Sequence, residues 1–172
     1  INLYQALLPG ISNVTLRIRY YGLYVWLSDQ YAKKEGSTDP EAWKRYVRRA
    51  EALYALTAVK AGGESGIAGS NWASRKLQEP NNVVSFADDA EPGSETYYLK
   101  QPWGAYGAAY GSQLLETGLF DESYHHTIPF PTKDLGNRLA NSFEHTRPEI
   151  TELFLDCANR GDVNLVELEQ LA

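Results

Sequence analysis

Four groups of side chains in this 172-residue chain have types and spacings that could support chemistry. Lys44, Arg45, Arg48 and Arg49 set four cations on adjoining turns of one helix, a face suited to a nucleic-acid backbone. The plainer reading is a solvated helix face, since Glu41 stands four residues before Arg45 and can pair with it. Arg17 and Arg19 suit a phosphate gripped from the start of a helix. Their apolar surroundings favour burial beside internal acidic partners, which a buried charge requires. Asp121, Glu122, His125 and His126 combine carboxylate and imidazole, the ligand types of a zinc site. Adjacent histidines in an extended loop point opposite ways, so an exposed polar loop without metal is favoured. Arg138 and His145 are seven apart, two helical turns, and share a face.

No Walker-type loop, Gly-x-Ser-x-Gly elbow or Cys-x-x-Cys pair is present. Gly66, Ile67, Ala68 and Gly69 are too short a signal for a phosphate loop. Cys157 falls on an apolar face and reads as core. No cofactor is expected.

The elements that must position these residues are mainly helices. Asn2 to Leu8 reads as a helix end closed by Pro9 and Gly10, with Ser12 or Thr15 capping the next helix. Leu16, Tyr20, Leu23, Leu27 and Tyr31 repeat at three and four, and Val14, Ile18, Tyr21, Val25 and Trp26 fill other sides. This predicts a central buried helix to about Lys34, stopped by Gly36. Asp39, Pro40 and Glu41 form a cap, a first-turn proline and an acid at the positive helix end. The helix they open ends at Gly62 and Gly63, and a glycine-rich connection continues to Gly69. Residues 70–78 fit a short helix, and 83–86 with 96–99 fit short strands, a β-hairpin around 83–99. Pro102 and Trp103 open a helix to about Thr117, whose glycines and alanines imply close contact. Helices from Thr132 to about His145, from Pro148 to Arg160 and after Asn164 complete the chain. The expected class is mainly α, one irregular helical domain over 1–172.

Twelve Tyr and four Trp promise a large core with polar edges. No apolar run is long enough to cross a membrane. A lone cysteine cannot form an internal disulfide, which fits a cytoplasmic setting. The chain starts without methionine and stops inside a helical pattern, so it reads as a segment of a longer protein. The net charge of −6 is uneven: residues 1–76 carry 11 of the 16 bases and 6 of the 22 acids. A basic half can attract nucleic acid, or the halves complement each other across the fold.

An Arg and a His separated by six residues, as Arg138 and His145 are, resemble the catalytic motif of HEPN-type ribonucleases. That resemblance implies metal-independent action on an RNA phosphate and its 2′-hydroxyl. Three longer blocks resemble a bacterial family encoded among anti-phage defence and restriction genes. They are Leu8-Pro-Gly-Ile-Ser-Asn-Val-Thr-Leu-Arg-Ile-Arg-Tyr-Tyr, then Tyr46-Val-Arg-Arg-Ala-Glu-Ala-Leu with Ser65-Gly-Ile-Ala-Gly, then Leu135-Gly-Asn-Arg-Leu-Ala-Asn-Ser-Phe. Ile11, Asn13 and Val14 depart slightly from the family pattern. The family implies a setting beside helicases, methyltransferases or nucleases, and no activity. The sequence therefore points to a non-catalytic component of a defence system, contacting DNA or a partner protein through the basic helical face. A HEPN-like ribonuclease and a purely structural scaffold are the alternatives.

Overall fold

The computed structural model describes residues 17–34, 38–63, 66–121 and 128–172. The helix end near Leu8, the caps at Ser12 and Thr15, and the stop at Gly36 lie outside these residues. The fold is mainly α. In chain order it runs α1 (Ile18–Lys34), α2 (Pro40–Lys60), α3 (Ser70–Lys76), β1 (Val83–Ser85), α4 (Ala87–Ala90), a π-helical turn (Tyr106–Tyr110), α5 (Gly111–Glu116), α6 (Leu135–Thr146), α7 (Pro148–Arg160), β2 (Asp162–Asn164) and α8 (Leu165–Leu171). The chain divides into two compact units, Ile1–Trp43 with Tyr106–Thr146 and Lys44–Ala105 with Arg147–Ala172.

The first unit is organised on α1, whose residues from Tyr20 to Ser28 are all buried. An apolar helix with no polar stripe must be covered on every side, and here it is the expected central helix. It packs along α6. Phe143 of α6 lies over Gly22, where an added Cβ would come within 2.7 Å of the ring. The same ring stands 5.4 Å from Trp26, and Gln30 donates a 3.2 Å hydrogen bond to Glu144. Thr132 starts α6 as expected: its hydroxyl accepts from Gly136 N–H and donates to the Gly118 carbonyl. At the start of α2, Asp39 accepts the Glu41 N–H at 3.0 Å.

The helix expected over 102–117 is present over 104–116, but its middle, Tyr106–Tyr110, is a π-helical turn that leads into α5. The wider turn places two tyrosines against α1. Tyr110 lies 4.8 Å from Tyr20 and 5.5 Å from Tyr24, and Tyr106 lies 5.4 Å from Tyr24 and 4.8 Å from Trp43. Each such pair contributes about 0.5–1.5 kcal/mol beyond its buried area. Burial also pushes the Tyr106 phenol up to about 12.

In the second unit α2 is buried on more than one side, through Val47, Ala50, Ala52, Leu53, Ala55 and Leu56. β1 falls where the sequence placed a strand, but its partner is β2, antiparallel, with Val84 opposite Val163. Residues 96–99 form no strand. The cause is Gly161, at φ 80°, which ends α7 and turns the chain back. Its carbonyl accepts from Phe86 and Ala87 N–H, so the turn docks where β1 ends. Asn164 then caps α8 in a full capping box with Glu167. Cys157 is buried, as read from its apolar face. Arg160 ties α7, β2 and α8 together through Asp156, Asp162 at 3.2 Å and Glu167 at 2.8 Å.

Candidate functional site

Arg48 and Glu51 stand three apart on α2 and therefore face the same side. That side is covered by the segment 91–105. Arg48 is 1% exposed, and its guanidinium donates to the carbonyls of Ala90, Leu99, Gln101 and Pro102. Its plane lies 5.0 Å from the Tyr98 ring. The Tyr98 hydroxyl donates to Glu51, which also accepts the Ala105 N–H at 3.0 Å. Burial lowers the Arg48 pKa from its ordinary value, against the opposing charges of Glu51 and Glu91. Four carbonyls and a nearby carboxylate nonetheless suit only the cation. Gly104 adopts φ +63° beside Glu51, where an added Cβ would collide with Oε2. Close approach, the expectation for this glycine-rich stretch, is thus made to a carboxylate on α2.

The basic face read from the sequence is largely consumed by this packing. Arg48 is a buried staple and cannot reach a phosphate. Lys44 is buried too, with its ammonium 5.1 Å over the Trp103 ring. Arg49 donates to the Asn159 carbonyl and stands 3.5 Å from Glu91. Arg45 alone of the four is exposed. The reverse correction applies to Arg17 and Arg19. They were expected to be buried, but both are exposed at the start of α1, before its enclosed stretch begins. The buried arginine of this fold is Arg48.

Arg138 and His145 share the outer face of α6. Arg138 is 78% exposed and 3.9 Å from Asp134, and His145 Nδ1 sits 2.7 Å from the Asn141 carbonyl of its own helix. Seven residues along a helix set them about 10 Å apart in rise. Glu122, His125 and His126 lie outside the described residues, and Asp121 is exposed. Among the described residues no group of His, Cys, Asp and Glu is placed to hold a metal ion. No described helix is long and apolar enough to cross a membrane.

Two surface features of the second unit were not read from the sequence. The first is a pair of adjoining clefts between α3 and residues 95–100, sharing Trp72, Arg75 and Tyr97. One, of about 320 Å³, adds Ser70, Asn71 and Lys100. The other, of about 400 Å³, adds Lys76, Glu79, Glu95 and Thr96. Lys76 is held at 2.7 Å by the buried Asp89. The second feature is an apolar group, Val83, Leu165 and Val166, all exposed. Strand pairing sets Val83 opposite Asn164, and Leu165 N–H donates to the Asn82 carbonyl at 3.1 Å, so the three are neighbours. Exposed Glu149, Glu152 and Asp156 keep helical spacing along the outer side of α7.

Arg48 and Glu51 did carry a signal in the sequence. Opposite charges three apart, set among Ala50, Ala52 and Ala55, mark a helix side that another segment approaches closely. The clefts had no such signal, since they depend on where an aperiodic segment comes to rest. Comparison with protein-family models, with curated proteins and with solved structures finds no match to this chain.

Proposed function

We propose that the chain is a non-catalytic, cytoplasmic component of a bacterial anti-phage defence complex, and that it works by holding a partner protein. The observation that carries the preference for protein over DNA is the fate of the α2 cations. Arg48 and Lys44 are enclosed and Arg49 is engaged, which leaves Arg45 as the one exposed cation of that face. A single exposed arginine contributes little to phosphate binding, which builds up over several contacts. The surface at Val83, Leu165 and Val166 supports the reading further. Val166 is 65% exposed, and the acids of α7 belong to the same unit. An exposed apolar group on a unit that also exposes acids along α7 suits a protein partner with an apolar contact surface better than a nucleic-acid backbone. The defence setting rests on the resemblance of the three sequence blocks.

The test is co-expression of the full-length protein with the helicase, methyltransferase or nuclease subunits encoded beside its gene, followed by size-exclusion chromatography. Co-elution with one of them is expected, weakened at least roughly tenfold by Val166→Asp. That substitution adds an acid in the first turn of α8, where the helix dipole favours it, so the fold survives. Failure to co-elute with any of these subunits overturns the proposal. So does tight binding of double-stranded DNA that falls steeply with salt and is lost in Arg45→Glu. The Arg138–His145 ribonuclease reading gains support only if RNA cleavage without metal is lost in His145→Ala.

A further inference from the structure

Most cations of the second unit are spoken for. Arg48 bonds to carbonyls, Lys60 pairs with Glu169, Lys76 with Asp89, Arg147 with Glu149, and Arg160 with three carboxylates. Arg75 and Lys100 have no ion pair among the described residues, and both are exposed. They line the same 320 Å³ cleft, and no carboxylate lines it with them. Two unneutralised cations in one concavity make a local anion trap.

The rest of the lining is aromatic. Trp72 and Tyr98 are buried and meet edge to face at 5.9 Å. Trp72 carries an enclosed indole N–H that meets no acceptor. Tyr97 is 38% exposed, so part of its ring is open to a ligand. The wall is also fixed in advance. Tyr98 is held by Glu51 and Arg48, and its N–H donates to the Asp89 carbonyl. Gly69 lies so close to Tyr98 that a Cβ there would stand 2.9 Å from the ring. A cleft whose walls are already ordered binds without the cost of ordering them.

We propose that this cleft binds a free nucleotide, with its phosphate between Arg75 and Lys100 and its base stacked on Tyr97. The volume falls in the range of small-ligand sites. The adjoining cleft distinguishes a free nucleotide from a nucleic-acid strand. A strand continuing past Arg75 and Tyr97 would run its next phosphate towards Glu79 and Glu95. A single nucleotide turns only its ribose and base edge that way, where carboxylates and the Thr96 hydroxyl accept from hydroxyl and amino groups.

The experiment titrates the full-length protein with ATP, GTP, CTP and UTP, with inorganic phosphate and with a short oligothymidylate, monitored by calorimetry and tryptophan fluorescence. At least one nucleotide is expected to bind and to change the tryptophan signal. Arg75→Glu and Lys100→Glu should each weaken it at least roughly tenfold. Tyr97→Ala should weaken nucleotide and leave any phosphate binding unchanged. Arg45→Glu should change nothing. The altered side chains are exposed, and unchanged thermal melts confirm that the variants fold. No binding of any nucleotide at millimolar concentration overturns the proposal, as does binding that survives Arg75→Glu. Oligothymidylate binding tighter than any nucleotide, and tightening with length, overturns the free-nucleotide assignment in favour of a strand.

Discussion

Replacing Arg48 by methionine keeps most of the buried stem and removes the guanidinium. The carbonyls of Ala90, Leu99 and Gln101 then lose their donor, and Glu51 loses its cationic neighbour. A buried polar group left without a partner costs about 1–3 kcal/mol. Residues 91–103 have no regular structure, so some of these carbonyls will turn to water. The net loss should be about 3–5 kcal/mol, the size seen when one member of a buried charge network is removed. This is a large part of a typical domain stability of about 5–15 kcal/mol. Urea unfolding gives the loss directly, and hydrogen exchange locates it, with protection falling first at residues 91–105. Tyr98→Phe removes the hydroxyl from the same network, so the double variant should lose less than the sum of the two. If Arg48→Met lies within about 1 kcal/mol of the parent, or if the two losses simply add, Arg48 is not the staple of this segment.

Gly104→Ala should cost at least about 2 kcal/mol in urea unfolding, because the new methyl group meets Glu51 and the backbone is left-handed there. A loss below about 0.5 kcal/mol would mean the segment sits elsewhere. Burial, the largest cause, and Glu167 push the Cys157 thiol up to about 11, so it should resist thiol reagents at neutral pH. Its folded pKa is above its unfolded one, so between about pH 9 and pH 11 the unfolded chain holds fewer protons than the native one. Stability should therefore fall across that window; Cys157→Ala should remove the thiol's share, most clearly between about pH 9 and 10, and leave the fall that the raised Tyr106 phenol adds from about pH 10 upward. Rapid labelling at pH 7 would contradict the enclosure of the thiol.

Helices with a buried stripe or a clear cap were legible in the sequence. Tyr20 to Tyr31 repeat at helical spacing with no polar face, and Asp39 does cap α2. The two-stranded sheet was half legible. Val83 and Val84 look like a strand, but Asp162 to Asn164 are too few to show a period and overlap the cap signal of α8. The α2 cations show the limit most clearly. Spacing alone puts Lys44, Arg45, Arg48 and Arg49 together, and nothing local states that a segment about 50 residues later covers two of them. The same distance hid the cleft, since Arg75 and Lys100 come to line it together only through the path of residues 91–100.

The π-helical turn at Tyr106–Tyr110 amounts to an α-helix with one residue inserted. Deleting Gly107 or Ala108 would restore ordinary helical hydrogen bonding and rotate Tyr106 relative to Tyr110 by about 100°. The two rings could then no longer both keep their partners, Tyr20 and Tyr24 on α1 and Trp43 at the start of α2. A change that relaxes the backbone would dismantle the aromatic cluster, and the deletion variant should melt below the parent. Along descent, this segment should exchange residue for residue while its length stays fixed. Chain length here acts as a constraint in its own right, separate from the identity of any side chain.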